Sequence, residues 1–198
     1  MMQLRANIDK SEVVAMPIET FDGRIIVVQT ESEANKAVDF LMSQDVVGID
    51  TETRPSFVKG KVNMVSLLQV STSDTCFLFR LNMIGLCTPV RRMLEDVALL
   101  KVGLSLKDDF MSLHRLGEFE IGHYVELQHM VKEYGIEEQS LQKVYALLFG
   151  KKISKTQRLS NWDTDVLSDK QKMYAAIDAW ACLRIFKRLK EYSKWRTN

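Results

Sequence analysis

Two acidic side chains stand two positions apart at the end of an apolar segment of this 198-residue chain. Asp50 and Glu52 follow the apolar run 46–49, which is typical of a strand. Residues i and i+2 of a strand face the same side, so both carboxylates would project together near its carboxyl end. Adjacent carboxylates repel, and partial burial makes each charge costlier unless a cation neutralises them. The pair therefore indicates a divalent-metal site, although an isolated Asp-x-Glu is more often a solvated strand end.

A third carboxylate lies in an apolar helical stripe near the C-terminus. The stripe surrounds Asp178 at helical spacing and comprises Tyr174, Ile177, Ala181 and Ile185. Aspartate is a poor helix-interior residue and is rarely buried without a partner. Tyr174 stands one turn before Asp178, so the phenol and the carboxylate project from the same side of the helix. Either this acid has a functional partner, or it lies at the helix margin beside an ordinary core aromatic.

Adjacent aspartates, Asp108 and Asp109, open a helix predicted for 106–116. Acidic residues in a first turn complement the helix dipole, and that explanation covers both of them. The preceding segment 100–105 reads as a strand. If that strand lies beside the strand that carries Asp50, one of the two aspartates would reach the same edge of the sheet.

Hydrophobic periodicity predicts the elements that would position these acids. We predict strands at 24–30, 46–51, 62–71, 75–81 and 100–105, and helices at 31–44, 89–99, 106–116, 125–134, 141–149 and 168–192. Ser168 and Gln171 fit a capping box at the start of the last helix. The order of strands and helices predicts an α/β fold with a mixed sheet covered by helices on both faces. Because no linker or repeat divides the chain, we predict an arm at 1–20 and one domain at 21–198.

Composition narrows the class of protein. The 27 Lys and Arg residues nearly balance the 26 Asp and Glu residues, which argues against a protein that coats nucleic acid but permits a local basic groove. No uncharged run approaches the ~20 residues of a membrane helix, and no secretory signal opens the chain, so we predict no membrane partner and a cytoplasmic location. The histidines show no ligand spacing, which argues against zinc.

A basic segment at 151–158 contains four cations and no acid. Its cations, Lys155 and Arg158 among them, would suit phosphate oxygens, although a solvated loop explains them equally well. Trp162 follows closely. Its ring would either stack on a base or, as a buried anchor, hold the loop in place.

Taken together, these residues resemble the DEDD superfamily of 3′–5′ exonucleases. Segment 47–53 resembles its first motif, 101–113 its second and 174–179 its third, and the similarity extends over about 24–192. Further similarity to ribonuclease D and the Werner-syndrome exonuclease domain comes from 160–162 and 167–171. Tyr174 stands four residues before Asp178, as in the tyrosine branch, DEDDy, whereas Met173 occupies the position of the histidine in the other branch.

The resemblance implies a ribonuclease H-like fold with a mixed five-stranded sheet flanked by helices on both faces. It also implies two divalent ions, Mg²⁺ or Mn²⁺, which suit oxygen-only ligands. Asp50 would bridge both ions, Glu52 and Asp178 would complete one site, and Asp109 would hold the other. Tyr174 would orient the attacking water. The expected activity is hydrolysis of the terminal phosphodiester of single-stranded or 3′-end DNA or RNA, with release of nucleoside 5′-monophosphates.

Two departures from the family pattern and two rival functions stay open. The second motif has adjacent aspartates, and we choose Asp109 because Phe110 and Leu113 follow it at the family's apolar spacing. The Arg-Pro pair common in ribonuclease D relatives is absent after Trp162. We expect a stand-alone exonuclease domain. The rivals are a catalytically silent nucleic-acid-binding module on the same fold and a metal-dependent phosphoesterase for small nucleotides.

Overall fold

A computed structural model describes residues 4–196, with side chains to Ser193. The helices are α1 (Lys10–Ala15), α2 (Glu31–Leu41), α3 (Leu81–Ile84), α4 (Thr88–Glu95), α5 (Leu106–His114), α6 (Leu127–Glu133), α7 (Leu141–Phe149) and α8 (Asp169–Arg196). The strands are β1 (Arg24–Val28), β2 (Val46–Thr53), β3 (Val65–Ser71), β4 (Thr75–Phe79), β5 (Leu100–Gly103) and β6 (Tyr124–Glu126). Within this described range, no helix has the length and apolar composition needed to cross a membrane.

All six strands form one mixed sheet in the order β1-β4-β3-β2-β5-β6. Strands β2, β3 and β4 form the antiparallel meander, while β1 pairs parallel to β4 and β5 and β6 continue parallel to β2. The mixed sheet is confirmed, but the count of five strands is wrong. Strand β6 has only three residues, and the sequence pattern assigned most of it to the helix that follows, because so short a run shows no alternation.

Hydrophobic side chains pack on both faces of the sheet, as predicted. One core lies between the sheet and α6, α7 and α8, and the other lies between the sheet and α2, α4 and α5. The capping box at the start of α8 is confirmed: the Ser168 hydroxyl accepts from the Gln171 backbone N–H at 3.3 Å, and the Gln171 side chain accepts from the Ser168 backbone N–H at 3.0 Å.

Glycine at position 48 allows α8 to lie directly against β2. A Cβ atom added to Gly48 would stand 2.0 Å from the carbonyl oxygen of Ala179, which is less than any van der Waals contact. The helix backbone therefore touches the strand backbone at this point. Because Gly48 lies two residues before Asp50 and Ala179 one residue after Asp178, this close approach brings the two predicted acids together.

The N-terminal segment is attached to the rest of the fold through a buried carboxylate. Glu19, 5% exposed, accepts hydrogen bonds from the Tyr145 hydroxyl at 2.7 Å, the Lys151 ammonium at 2.8 Å and the Arg184 guanidinium at 3.0 Å. The Lys152 ammonium also donates to the Val14 carbonyl. These contacts attach the segment to α7, α8 and the basic loop 151–158. The boundary between arm and domain at 20/21 stays a prediction.

Candidate active site

Three carboxylates from two elements meet at the carboxyl end of β2. Oxygen atoms of Asp50, Glu52 and Asp178 all lie within 4.8 Å of one another. Asp50 and Glu52 share one face of the strand because they are two residues apart, and that face is the one covered by α8. Glu52 is 8% exposed and Asp178 4% exposed, so the cluster is largely removed from water.

A fourth carboxylate reaches the cluster from the opposite face of the sheet. Asp109, in the first turn of α5, accepts a hydrogen bond from the Thr51 hydroxyl, whereas Asp108 is exposed. The start of α5 is fixed by Glu126 of β6, whose carboxylate accepts from the backbone N–H groups of Ser105 and Leu106 at 3.0 and 2.7 Å. Sequence reasoning missed Glu126, because its role depends on the unpredicted strand β6.

Burial raises the pKa of all four acids, and the charges of the other acids raise the pKa of Asp50 and Glu52 further. Burial is the largest cause in each, and it raises the pKa of Glu52 to about 9 and the pKa values of Asp109 and Asp178 to about 7. The pKa of Asp50 also rises, through burial and then through the charges of Asp109, Asp178 and Glu52. Without a cation, the cluster therefore retains protons near neutral pH.

We expect the metal-free protein to lose stability as the pH rises from about 5 to about 9. The folded protein binds protons that the unfolded chain has already released, because the folded pKa values lie above the unfolded ones near 4. The slope of unfolding free energy against pH is therefore negative in this window. Thermal unfolding in EDTA across that range should show a falling midpoint, and added Mg²⁺ should restore it most at the alkaline end. A midpoint that rises with pH would contradict the raised pKa values.

The carboxylate oxygens of the cluster fit a hard divalent cation as ligands. The Oδ1 atom of Asp178 is buried and has no hydrogen-bond partner among the described residues. A buried carboxylate oxygen without a donor is costly unless a proton or a cation compensates its charge. Oxygen ligands, with neither histidine nor cysteine in the cluster, suit Mg²⁺ or Mn²⁺ better than zinc.

Tyr174 and Lys155 lie beside Asp178. Both groups oppose the rise in the pKa of that acid. The pKa of Tyr174 is itself raised, first by burial and then by the negative charges of Asp178 and Glu52. The phenol therefore stays protonated at neutral pH and is available as a hydrogen-bond donor or acceptor, but not as a base.

The basic loop divides into two parts. Lys151 and Lys152 bind the N-terminal segment, as described above, whereas Lys155 and Arg158 are exposed and form no ion pair with the described residues. Only the second pair is free to meet a ligand.

A stacking role for Trp162 does not agree with the structure. Its ring is 0% exposed and packs 6.0 Å, centroid to centroid, from the ring of Tyr174. A base has no access to a buried ring, so Trp162 anchors its loop, which is the alternative that the sequence left open.

Arg80 holds the same loop by donating to the carbonyl oxygens of Thr164 and Asp165. The sequence gives no indication of this role, because a lone arginine at the end of a strand carries no signal.

A second basic loop, between β2 and β3, was not identified from the sequence. It follows Glu52 directly and carries Arg54, Lys59 and Lys61, all exposed, with no acid among residues 54–64. Phe57 in this loop is 84% exposed. The sequence does carry a signal for this loop, because three cations closely follow the Asp-x-Glu pair.

The sequence of this chain matches a known protein family. The profile of the 3′–5′ exonuclease family matches residues 25–193. The chain is 29% identical over 184 residues to the mouse (Mus musculus) bifunctional 3′–5′ exonuclease/ATP-dependent helicase WRN, covering 88% of this chain and 13% of that protein. It is 29% identical over 191 residues to a 3′–5′ exonuclease of Arabidopsis thaliana, covering 88% of this chain and 66% of that protein. The chain thus spans less than two thirds of each relative.

The fold is also found among solved structures. The Nibbler EXO domain of Aedes aegypti superimposes with a TM-score of 0.78 at 21% identity, covering 87% of this chain and 91% of that domain. At this identity the likeness concerns the fold, and it confirms the ribonuclease H-like architecture.

Proposed function

Because the chain belongs to the family of 3′–5′ exonuclease domains, we propose that it hydrolyses the terminal phosphodiester of DNA or RNA from the 3′ end. The products are nucleoside 5′-monophosphates, and the reaction uses two divalent ions. The observation that carries the proposal is the buried cluster of Asp50, Glu52 and Asp178 with oxygens within 4.8 Å, joined by Asp109 from the opposite face. A silent binding module would have no reason to bury four acids that repel one another.

In this proposal, the four acids divide between two ion sites. Asp50 would contribute to both, Glu52 and Asp178 would complete one, and Asp109 would contribute to the other. Divalent ions held there would lower the pKa of a bound water and neutralise charge on the attacking and leaving oxygens of a phosphodiester. The protein supplies the fixed positions of the carboxylates on β2, α5 and α8.

Tyr174 is assigned the orientation of the attacking water. Replacing Tyr174 by phenylalanine removes only the hydroxyl, so we expect kcat to fall about 10- to 100-fold while Mn²⁺ affinity stays near that of the wild type. Single-turnover hydrolysis and calorimetric Mn²⁺ titration measure the two quantities. Unchanged kcat would remove Tyr174 from the mechanism.

Cations on two loops are assigned to the phosphates of the strand. Lys155 and Arg158 form one group, and Lys59 and Lys61 of the β2–β3 loop form the other. We expect the double change Lys155→Ala and Arg158→Ala to weaken binding of a single-stranded oligonucleotide. The negative slope of log affinity against log salt concentration should become less steep by about 1 to 2. The matched control is Lys36→Ala on α2, which covers the other face of the sheet. Equal slopes for the double variant and the control would contradict the assignment.

Labelled substrates test the activity itself. Single-stranded DNA, single-stranded RNA and recessed duplexes, each labelled at the 5′ end, are incubated with the protein and Mg²⁺ or Mn²⁺. A ladder that shortens from the 3′ end, and that is absent with Asp50→Ala, is the expected result. Absence of digestion of any substrate would favour the silent module, and hydrolysis of mononucleotide esters alone would favour the small-nucleotide phosphoesterase. A cytoplasmic location stays a prediction.

A further inference from the structure

A buried glutamine beside the acidic cluster has no hydrogen-bond partner. Gln69 of β3 is 0% exposed, and neither its Nε2 nor its Oε1 atom has a partner among the described residues. Buried polar side chains are nearly always hydrogen-bonded, because an amide that leaves water without a new partner is costly. An apolar side chain of similar size would fill this position without that cost. The amide therefore indicates a requirement other than packing.

Strand register places Gln69 next to Asp50. The two residues are directly opposite in the antiparallel pair of β2 and β3. Opposite residues of such a pair project from the same face, with Cβ atoms about 5 Å apart. On its other side Gln69 is opposite Leu78 of β4. The acidic side chain of β2 is thus its polar cross-strand neighbour, since Leu78 offers no polar atom.

We propose that Gln69 is a positioning residue for Asp50, to whose carboxylate the Nε2 group donates a hydrogen bond when that acid holds a metal ion. The proposal rests on the metal-dependent function given above. A carboxylate has about four acceptor positions, and ions occupy only some of them. Donors to the remaining positions fix the orientation of a ligating carboxylate, and their loss commonly weakens metal affinity 10- to 100-fold.

The test uses two apolar replacements in the full chain. Gln69→Met keeps an unbranched side chain of similar length, and Gln69→Leu provides a second shape. For each we measure the thermal midpoint in EDTA and the Mn²⁺ dissociation constant by calorimetry. We expect the midpoint to rise by about 2 to 4 °C, because two unpartnered polar atoms are removed, and the Mn²⁺ dissociation constant to increase about tenfold or more.

A partnered glutamine provides the control for stability. The amide of Gln171 is bonded to Ser168 and to the Asn161 carbonyl, so Gln171→Leu should lower the thermal midpoint. A purely structural role for Gln69 would produce the same loss and would leave Mn²⁺ affinity unchanged. Either result at Gln69, including failure of both variants to fold, would overturn the proposal. If the wild-type protein itself bound no Mn²⁺, the proposed function would fail first, and this role would fail with it.

Discussion

Replacing Asp178 by asparagine should abolish hydrolysis and stabilise the metal-free protein. Asparagine keeps the shape of the side chain but removes one of the four clustered carboxylates. We expect kcat/KM to fall about 10³-fold or more, since a lost ion site removes several kcal/mol of transition-state stabilisation. In EDTA at about pH 8, above the folded pKa of about 7, the thermal midpoint should rise by several degrees, because a buried ionised carboxylate is replaced by a neutral amide.

Asp169→Asn is the matched control, because Asp169 lies on the same helix but its side chain is fully exposed. Its ion pair with Lys172 is a surface pair and contributes little. Both kcat/KM and the thermal midpoint of this control should stay close to the wild-type values. If Asp178→Asn retained wild-type turnover, the carboxylate of Asp178 would have no place in the reaction.

Gly48→Ala should have the largest effect on stability of any single methyl addition near the site. The new Cβ would lie 2.0 Å from the Ala179 carbonyl oxygen, so β2 and α8 would have to separate. Overpacking of this kind costs about 3 kcal/mol, and for a domain of this size that lowers the thermal midpoint by about 6 to 12 °C. Activity should fall as well, because Asp178 lies on the displaced helix.

Gly117→Ala provides the comparison. A Cβ at Gly117 would lie 3.6 Å from a Leu86 methyl group, which is an ordinary contact. The midpoint of this variant should be unchanged or slightly higher, because alanine restricts the unfolded chain. If Gly48→Ala proved equally neutral, the close contact between β2 and α8 would be wrong.

Local patterns indicated each acid separately, and the resemblance to the exonuclease family joined them into one predicted site. Strand alternation placed Asp50 and Glu52 on one face, and helical spacing placed Tyr174 on the same side as Asp178. The choice of Asp109 over Asp108 rests on the apolar spacing of the family's second motif, and the charge of Asp109 acts on Asp50 and Glu52 in the structure.

Features that depend on distant contacts were missed or misread. The burial of Trp162 depends on packing against α8, and the short strand β6 forms only because β5 provides a parallel partner. Gln69 lacks a hydrogen-bond partner because of its neighbours on β2, β4 and α8, which are separate elements of the chain. The contact at Gly48 likewise involves a residue 131 positions away in the sequence. Single-sequence periodicity carries no information about such neighbours.

A crystal structure of the protein grown with Mn²⁺ tests the central claim most directly, because anomalous scattering locates each ion. We expect two peaks about 3.5 to 4 Å apart. One peak should contact Asp50, Glu52 and Asp178, and the other should contact Asp50 and Asp109. A cluster that shows no anomalous peak at saturating Mn²⁺ would contradict the claim that these acids hold the metal ions of a nuclease.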